Sequence, residues 1–142
     1  MFAAMRRSGR LATACLAAVV SLAGAEKQWA GTYVGDWNST ILSAKGSFHM
    51  KLSSAGEGKW QCEVMFTMGE RKVETTVKAL RVGDKTIEVS YEFDLGESRL
   101  MSTITGELTD NKLEGRYQTK SVPDGTPVDE GVWKAASRQP GN

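Results

Sequence analysis

Cysteine is scarce in this chain of 142 residues: it has two, Cys15 and Cys62. Cys15 falls in the N-terminal segment read below as an export signal, so the exported chain keeps one thiol and has no intramolecular disulfide. Its stability must then come from a hydrophobic core alone. Charge of one sign is missing too. The 18 Lys+Arg nearly balance 17 Asp+Glu with no basic run, which leaves no electrostatic footprint for nucleic acid. Helical periodicity is the third absence. From Gly31 onward no ten-residue window carries apolar side chains at i, i+3, i+4 and i+7. The length allows one domain and excludes a multidomain enzyme, while 25% charged residues and four Trp argue against a disordered chain.

The N-terminus has the composition of a secretory signal. Arg6, Arg7 and Arg10 form a basic start, Leu11 to Leu22 is apolar and uncharged, and Ala23-Gly24-Ala25 supplies the small residues a signal peptidase reads. The expected division is a signal peptide over 1–25 and one domain over 26–142. The apolar stretch is shorter than the roughly 20 residues a membrane-spanning helix needs, and no second one follows. Stable membrane insertion is therefore not expected. A lipoprotein signal at Cys15 lacks an apolar run before it, and Arg6-Arg7 lacks the hydrophobic residue that twin-arginine export wants nearby. General secretion to a periplasmic or extracellular location is the reading. Cleavage removes three of the 18 basic residues and none of the 17 acidic ones, giving a net charge of −2.

The remaining chain alternates with a period of two, as half-buried strands do. Eight strands are expected: Thr32 to Trp37, Gly46 to Leu52, Lys59 to Met68, Arg71 to Arg81, Lys85 to Asp94, Ser98 to Thr109, Lys112 to Lys120 and Gly131 to Ala136. Gly69-Glu70, Gly83-Asp84 and Gly96-Glu97 suit type II′ turns, and Asp110-Asn111 suits type I′. Such turns fix register. Gly69-Glu70 sets Phe66 against Val73, Val64 against Thr75 and Cys62 against Val77. Gly96-Glu97 sets Phe93 against Leu100, Tyr91 against Ser102 and Val89 against Ile104. Asp110-Asn111 sets Leu108 against Leu113, Gly106 against Gly115 and Ile104 against Tyr117. Apolar meets apolar throughout, which a slip of one residue would destroy. In the Gly83-Asp84 hairpin Leu80 can face Ile87, but Val77 and Val89 then fall out of step. An extra residue near Ala79-Leu80, a β-bulge, restores them.

One face of this meander is apolar and the other charged, with no helix to cover the apolar side. It must bury that face against itself. The fold class is all-β, an eight-stranded antiparallel up-and-down barrel, with a β-sandwich of the same strands as the alternative.

Gly35-Asp36-Trp37 in the first strand resembles the Gly-x-Trp signature that opens lipocalins and the wider calycin group, including avidins. The resemblance covers about Gly31 to Arg138. It implies that Trp37 plugs the closed end of the barrel and that a basic side chain after the last strand, Arg138 or else Lys134, packs across its ring. It also implies a small ligand inside the barrel. The chain departs from typical lipocalins in lacking a C-terminal helix and a disulfide. The connection Asn38 to Lys45 is too short for the helical lid of fatty-acid-binding proteins.

Catalytic chemistry finds little support. His49 and Cys62 are expected on adjacent strands, but aligning Met50 with Cys62 puts His49 beside Glu63 on the outer face while the thiol points inward, without a base. Asp124 and the Asp129-Glu130 pair lie on the long connection Val122 to Glu130, where Pro123-Asp124-Gly125 reads as a turn before it reads as a calcium loop. No enzyme activity, cofactor or metal is expected. On the inner face the small Ser102, Gly106, Gly115 and Thr119 leave room among Trp60, Phe66, Tyr91 and Phe93, although glycine there can instead permit strand coiling in a filled core. A ligand site would use Tyr33, Trp60, Tyr91, Ser102, Tyr117 and Thr119. The expected function is binding of a small, largely apolar molecule by an exported monomer. The alternative is a non-catalytic interaction or inhibitor module of the cell envelope whose contact loops are Asn38 to Lys45 and Val122 to Glu130.

Overall fold

The computed structural model describes residues 29–138. The expected export signal over 1–25 lies outside the described residues. Nine strands follow one another: β1 (Gly31–Ser39), β2 (Lys45–Gly56), β3 (Lys59–Met68), β4 (Arg71–Glu74), β5 (Thr76–Val82), β6 (Thr86–Leu95), β7 (Ser98–Thr109), β8 (Lys112–Ser121) and β9 (Pro127–Ser137). They form one antiparallel sheet in the order β4-β3-β2-β1-β9-β8-β7-β6-β5, so β1 pairs with the last strand and the sheet curls into a nearly closed barrel. The all-β barrel is what the alternation of the sequence anticipates; the strand number is not.

The ninth strand arises because the expected Arg71–Arg81 strand breaks at Thr75. Its first part, β4, pairs with β3 from Met68↔Arg71 to Met65↔Glu74, and its second part, β5, pairs with β6. At the break the Thr75 hydroxyl donates to the Val64 carbonyl at 2.7 Å, a side-chain bond in place of the next ladder bond. Cys62 and Val77 are therefore not cross-strand partners. The bulge expected near Ala79-Leu80 is at Lys78, between Val77↔Tyr91 and Ala79↔Ser90. It lets Val77 and Leu80 both face the interior despite their odd spacing. Leu80 meets Val89 rather than Ile87, because the turn is wider than two residues: the Gly83 N–H donates to the Thr86 carbonyl.

The Gly96-Glu97 and Asp110-Asn111 hairpins have the expected pairs Phe93↔Leu100, Tyr91↔Ser102, Val89↔Ile104, Leu108↔Leu113, Gly106↔Gly115 and Ile104↔Tyr117. The β2–β3 hairpin differs by two residues. Met50 faces Val64, Leu52 faces Cys62, and His49 faces Met65 rather than Glu63. The strands run further than expected, into a tight turn with positive φ at Gly56, Glu57 and Gly58 and a register shift between Ser54 and Gly56.

Inward side chains make a single core that includes Phe48, Met50, Leu52, Ile87, Val89, Ile104 and Leu113. The two ends of the barrel differ. The end with the β2–β3, β5–β6 and β7–β8 turns is closed by Trp29, which is fully buried and donates its indole N–H to the Gly83 carbonyl at 3.1 Å. The Trp29 carbonyl in turn accepts the Tyr33 hydroxyl at 2.8 Å.

Candidate functional site

The opposite end, with the β1–β2, β3–β4, β6–β7 and β8–β9 connections, is hollow. A cavity of about 350 Å³ is walled there by Trp37, Phe48, Phe66, Met68, Tyr91, Phe93, Leu95, Leu100, Ile104, Tyr117 and Trp133, with Leu42 and Val128 among its lining residues. Alternation aims these side chains inward: Phe66 from β3, Tyr91 and Phe93 from β6, Ser102 and Ile104 from β7, Tyr117 and Thr119 from β8. The rings brace one another. Trp37 meets Phe66 and Tyr117 edge-on with centroids 6.0 Å apart, and Phe66 meets Phe93 at 5.0 Å.

Two polar groups of side chains reach this apolar chamber. Ser102 and Thr119, both buried, share a hydrogen bond of 2.5 Å, and Tyr91 stands opposite Ser102 in the β6–β7 ladder. Near the loops the Tyr117 hydroxyl donates to Asp129 Oδ2 at 2.9 Å and the Ser39 hydroxyl to Asp129 Oδ1 at 2.6 Å. Ser39 Oγ also accepts the backbone N–H groups of Ile41 and Leu42, so the carboxylate organises the β1–β2 loop. Ile41 and Leu42 are 59% and 53% exposed, an apolar lip over the opening.

Of the residues expected to line a ligand site, Tyr91, Ser102, Tyr117 and Thr119 come together in this cavity. Tyr33 and Trp60 do not line it. Tyr33 is buried towards the Trp29 end, and Trp60 is half-buried opposite Ser54 near the β2–β3 turn. Trp37 is a cavity wall rather than an end plug; its indole N–H donates to the Thr67 carbonyl at 2.8 Å. Neither proposed basic partner packs across it. Arg138 is exposed and its backbone N–H donates to Thr32, five residues from Trp37 or roughly 16 Å along an extended strand. Lys134 pairs with Asp36 and is exposed. Gly35 pairs with Ala135, where a Cβ would fall 1.9 Å from the Lys134 carbonyl oxygen. Gly106 and Gly115 open no void: the Trp133 ring occupies the space over Gly106, and the backbone of Thr105 and Gly106 that over Gly115.

The sequence reading missed Asp129 as a cavity residue. It is not in a loop: β9 begins at Pro127, and Asp129 pairs with Thr119. Among the described residues no group of three or more His, Cys, Asp or Glu is placed to hold a metal ion. No helix among them is long and apolar enough to cross a membrane. Cys62 is half-buried, and burial together with the neighbouring Glu63 pushes its thiol up to about 12, which leaves it protonated and unreactive at neutral pH. A second hollow, of about 360 Å³, lies near β3 and Thr75 and takes lining residues from both faces of the sheet, His49 and Cys62 among them. Its His49 and Cys62 belong to opposite faces of the sheet, paired with Met65 and Leu52.

All three tyrosines of the chain are held protonated. Burial is the main cause in each case, pushing Tyr33 up to about 12 and raising Tyr91 and Tyr117 as well; Asp129 raises Tyr117 further. An unfolded tyrosine ionises near pH 10, so their contribution to stability is complete below about pH 10 and is withdrawn as the pH climbs through the raised values. Tyrosinate absorbance should therefore stay flat past about pH 10 and then rise together with loss of the far-ultraviolet β signal. A gradual, non-cooperative rise centred near pH 10 would show that the phenols are accessible. Comparison of the chain with known protein families, curated proteins and solved structures finds no match.

Proposed function

We propose that the protein is an exported, monomeric, non-catalytic carrier, lipocalin-like in its manner of working, that binds one small and largely apolar molecule inside the barrel. The observation that carries this reading is the chamber of about 350 Å³, walled by aromatic and aliphatic side chains with a few convergent hydroxyls. Its size lies within the range of sites for small molecules, roughly 300–1,000 Å³. The meander topology, in which the first strand pairs with the last, agrees with the calycin resemblance. The basic stretch, apolar run and small residues of segment 1–25 support export to the periplasm or beyond.

Binding of the uncharged dye N-phenylnaphthylamine tests the reading. The protein should bind one dye per chain with a rise in dye fluorescence. Leu100→Trp, which fills the chamber from the β7 wall, should weaken binding at least about tenfold while changing stability by less than about 1.5 kcal/mol. Native mass spectrometry of the freshly purified protein should show a retained small molecule. Absence of dye binding to the wild type, or dye binding that Leu100→Trp leaves untouched, would sink the proposal.

A second reading draws on the exposed Ile41 and Leu42. An interaction module would use this lip against a partner in the envelope, with the exposed Val128 at the start of β9 as a further apolar contact. Ile41→Ser with Leu42→Ser would then abolish partner capture while leaving dye binding intact, whereas a carrier loses dye affinity when its lip is made polar.

A further inference from the structure

Among the described residues that line the chamber, Asp129 is the one that is charged. Covering a half-buried carboxylate at the edge of an apolar cavity with a ligand that brings no positive charge is costly. Two hydroxyls, from Ser39 and Tyr117, occupy one lone pair on each oxygen. A carboxylate accepts about four hydrogen bonds, so acceptor capacity remains. No Lys, Arg or His forms an ion pair with it among the described residues, where the ion pairs join Arg81 to Glu88 and Arg99 to Glu92 and Asp94.

The surroundings of Asp129 favour positive charge in a second way. Trp37 makes edge-to-face contacts with both Tyr117 and Phe66. Aromatic faces carry negative potential, and a cation within about 6 Å of such a ring is attracted, more so where water is excluded. An anionic ligand would meet repulsion from Asp129. A neutral hydroxyl can donate one hydrogen bond to the carboxylate but leaves its charge unanswered, and a wholly apolar ligand answers neither.

We propose that the ligand is an amphiphilic organic cation, an ammonium group on an apolar body, with its head between Asp129 and the rings of Trp37 and Tyr117 and its body in the apolar chamber. This rests on the carrier reading and narrows its ligand class. Asp129 also holds Ser39, whose hydroxyl oxygen anchors the backbone of Ile41 and Leu42, so a head group at the carboxylate sits directly beneath the lip.

Displacement of N-phenylnaphthylamine by octylamine, octanol and octanoate separates the possibilities, because the three share one apolar chain and differ in charge. Octylamine should displace the dye at least about tenfold more strongly than octanol, with octanoate weakest, a ratio equal to one charge-assisted contact. In Asp129→Asn the ratio of octylamine to octanol should fall to within about twofold, with octanol itself little changed. Tyr117→Phe removes a donor but keeps the charge, and should preserve the preference for the amine. If octanol equals octylamine on the wild-type protein, or octanoate wins, the cation is overturned while the carrier stands. Should the dye itself not bind, both fall. If Asp129→Asn and Tyr117→Phe weaken all three compounds alike, Asp129 is a clamp for the loop and not a ligand-charge partner. The wild-type series alone decides the matter if Asp129→Asn does not fold.

Discussion

Replacing Trp29 by alanine is expected to cost about 3–5 kcal/mol of stability, the range for deleting a large aromatic side chain from a core. Trp29 precedes β1, yet it is fully buried and forms part of the main hydrophobic cluster. Its removal opens the end of the barrel where Leu52, Ile87 and Leu113 are packed, and it leaves the Gly83 carbonyl without its indole donor. A domain of this size has a total stability of roughly 5–15 kcal/mol, so the variant should be near the edge of folding. Urea titration followed by far-ultraviolet circular dichroism measures the loss directly. Trp29→Phe keeps most of the apolar area and loses only the N–H donor, which should cost nearer 1 kcal/mol. A Trp29→Ala variant within about 1 kcal/mol of wild type would mean that other side chains close this end.

Gly115→Ala is the second large effect, at roughly 3 kcal/mol. A Cβ at Gly115 would lie 1.7 Å from the Thr105 carbonyl oxygen and 2.7 Å from the Gly106 Cα. Both obstacles are backbone, so the neighbouring strands β7 and β8 would have to part, and no rotamer change relieves the overlap. Gly106→Ala should be milder, because its nearest obstacle is the Trp133 ring at 2.6 Å, and a ring can tilt. Thermal unfolding of the two variants should place Gly115→Ala below Gly106→Ala, and both below wild type. Equal melting of Gly115→Ala and wild type would show that β7 and β8 do not approach this closely.

Much of the fold is legible in the sequence because tight turns tie register to particular residues. Gly96-Glu97 and Asp110-Asn111 fix the faces of three strands, β6, β7 and β8, correctly once alternation is read from them. The β2–β3 pairing escapes this test for a physical reason. Side chains alternate with a period of two, so a shift of two residues returns every apolar group to the same face and leaves no contradiction. The break at Thr75 is equally hidden, since Glu74-Thr75-Thr76 has ordinary strand composition and only the hydroxyl bond to Val64 marks the departure.

The site follows the same logic. Alternation says whether a side chain points inward, and Tyr91, Ser102, Tyr117 and Thr119 do. It does not say how high along the barrel axis the side chain sits, because height depends on the stagger of each strand against its neighbours. Tyr33 and Trp60 therefore share the inner face with the cavity residues without lining the cavity. Asp129 is lost for a different reason. Acidic and turn residues around Asp124 make the connection look longer than it is, and the start of β9 at Pro127 brings Asp129 into the sheet.

The interruption at Thr75 gives the barrel the mechanics of a slit tube. Elsewhere around the sheet, parting two neighbouring strands would break a run of backbone hydrogen bonds. Along the line where β5 faces β3, side-chain packing and the Thr75 hydroxyl bond, with no backbone ladder among the described residues, resist separation. A slit tube twists and widens far more easily than a closed one. Parting along that line would leave the β3–β4 and β5–β6 hairpins intact.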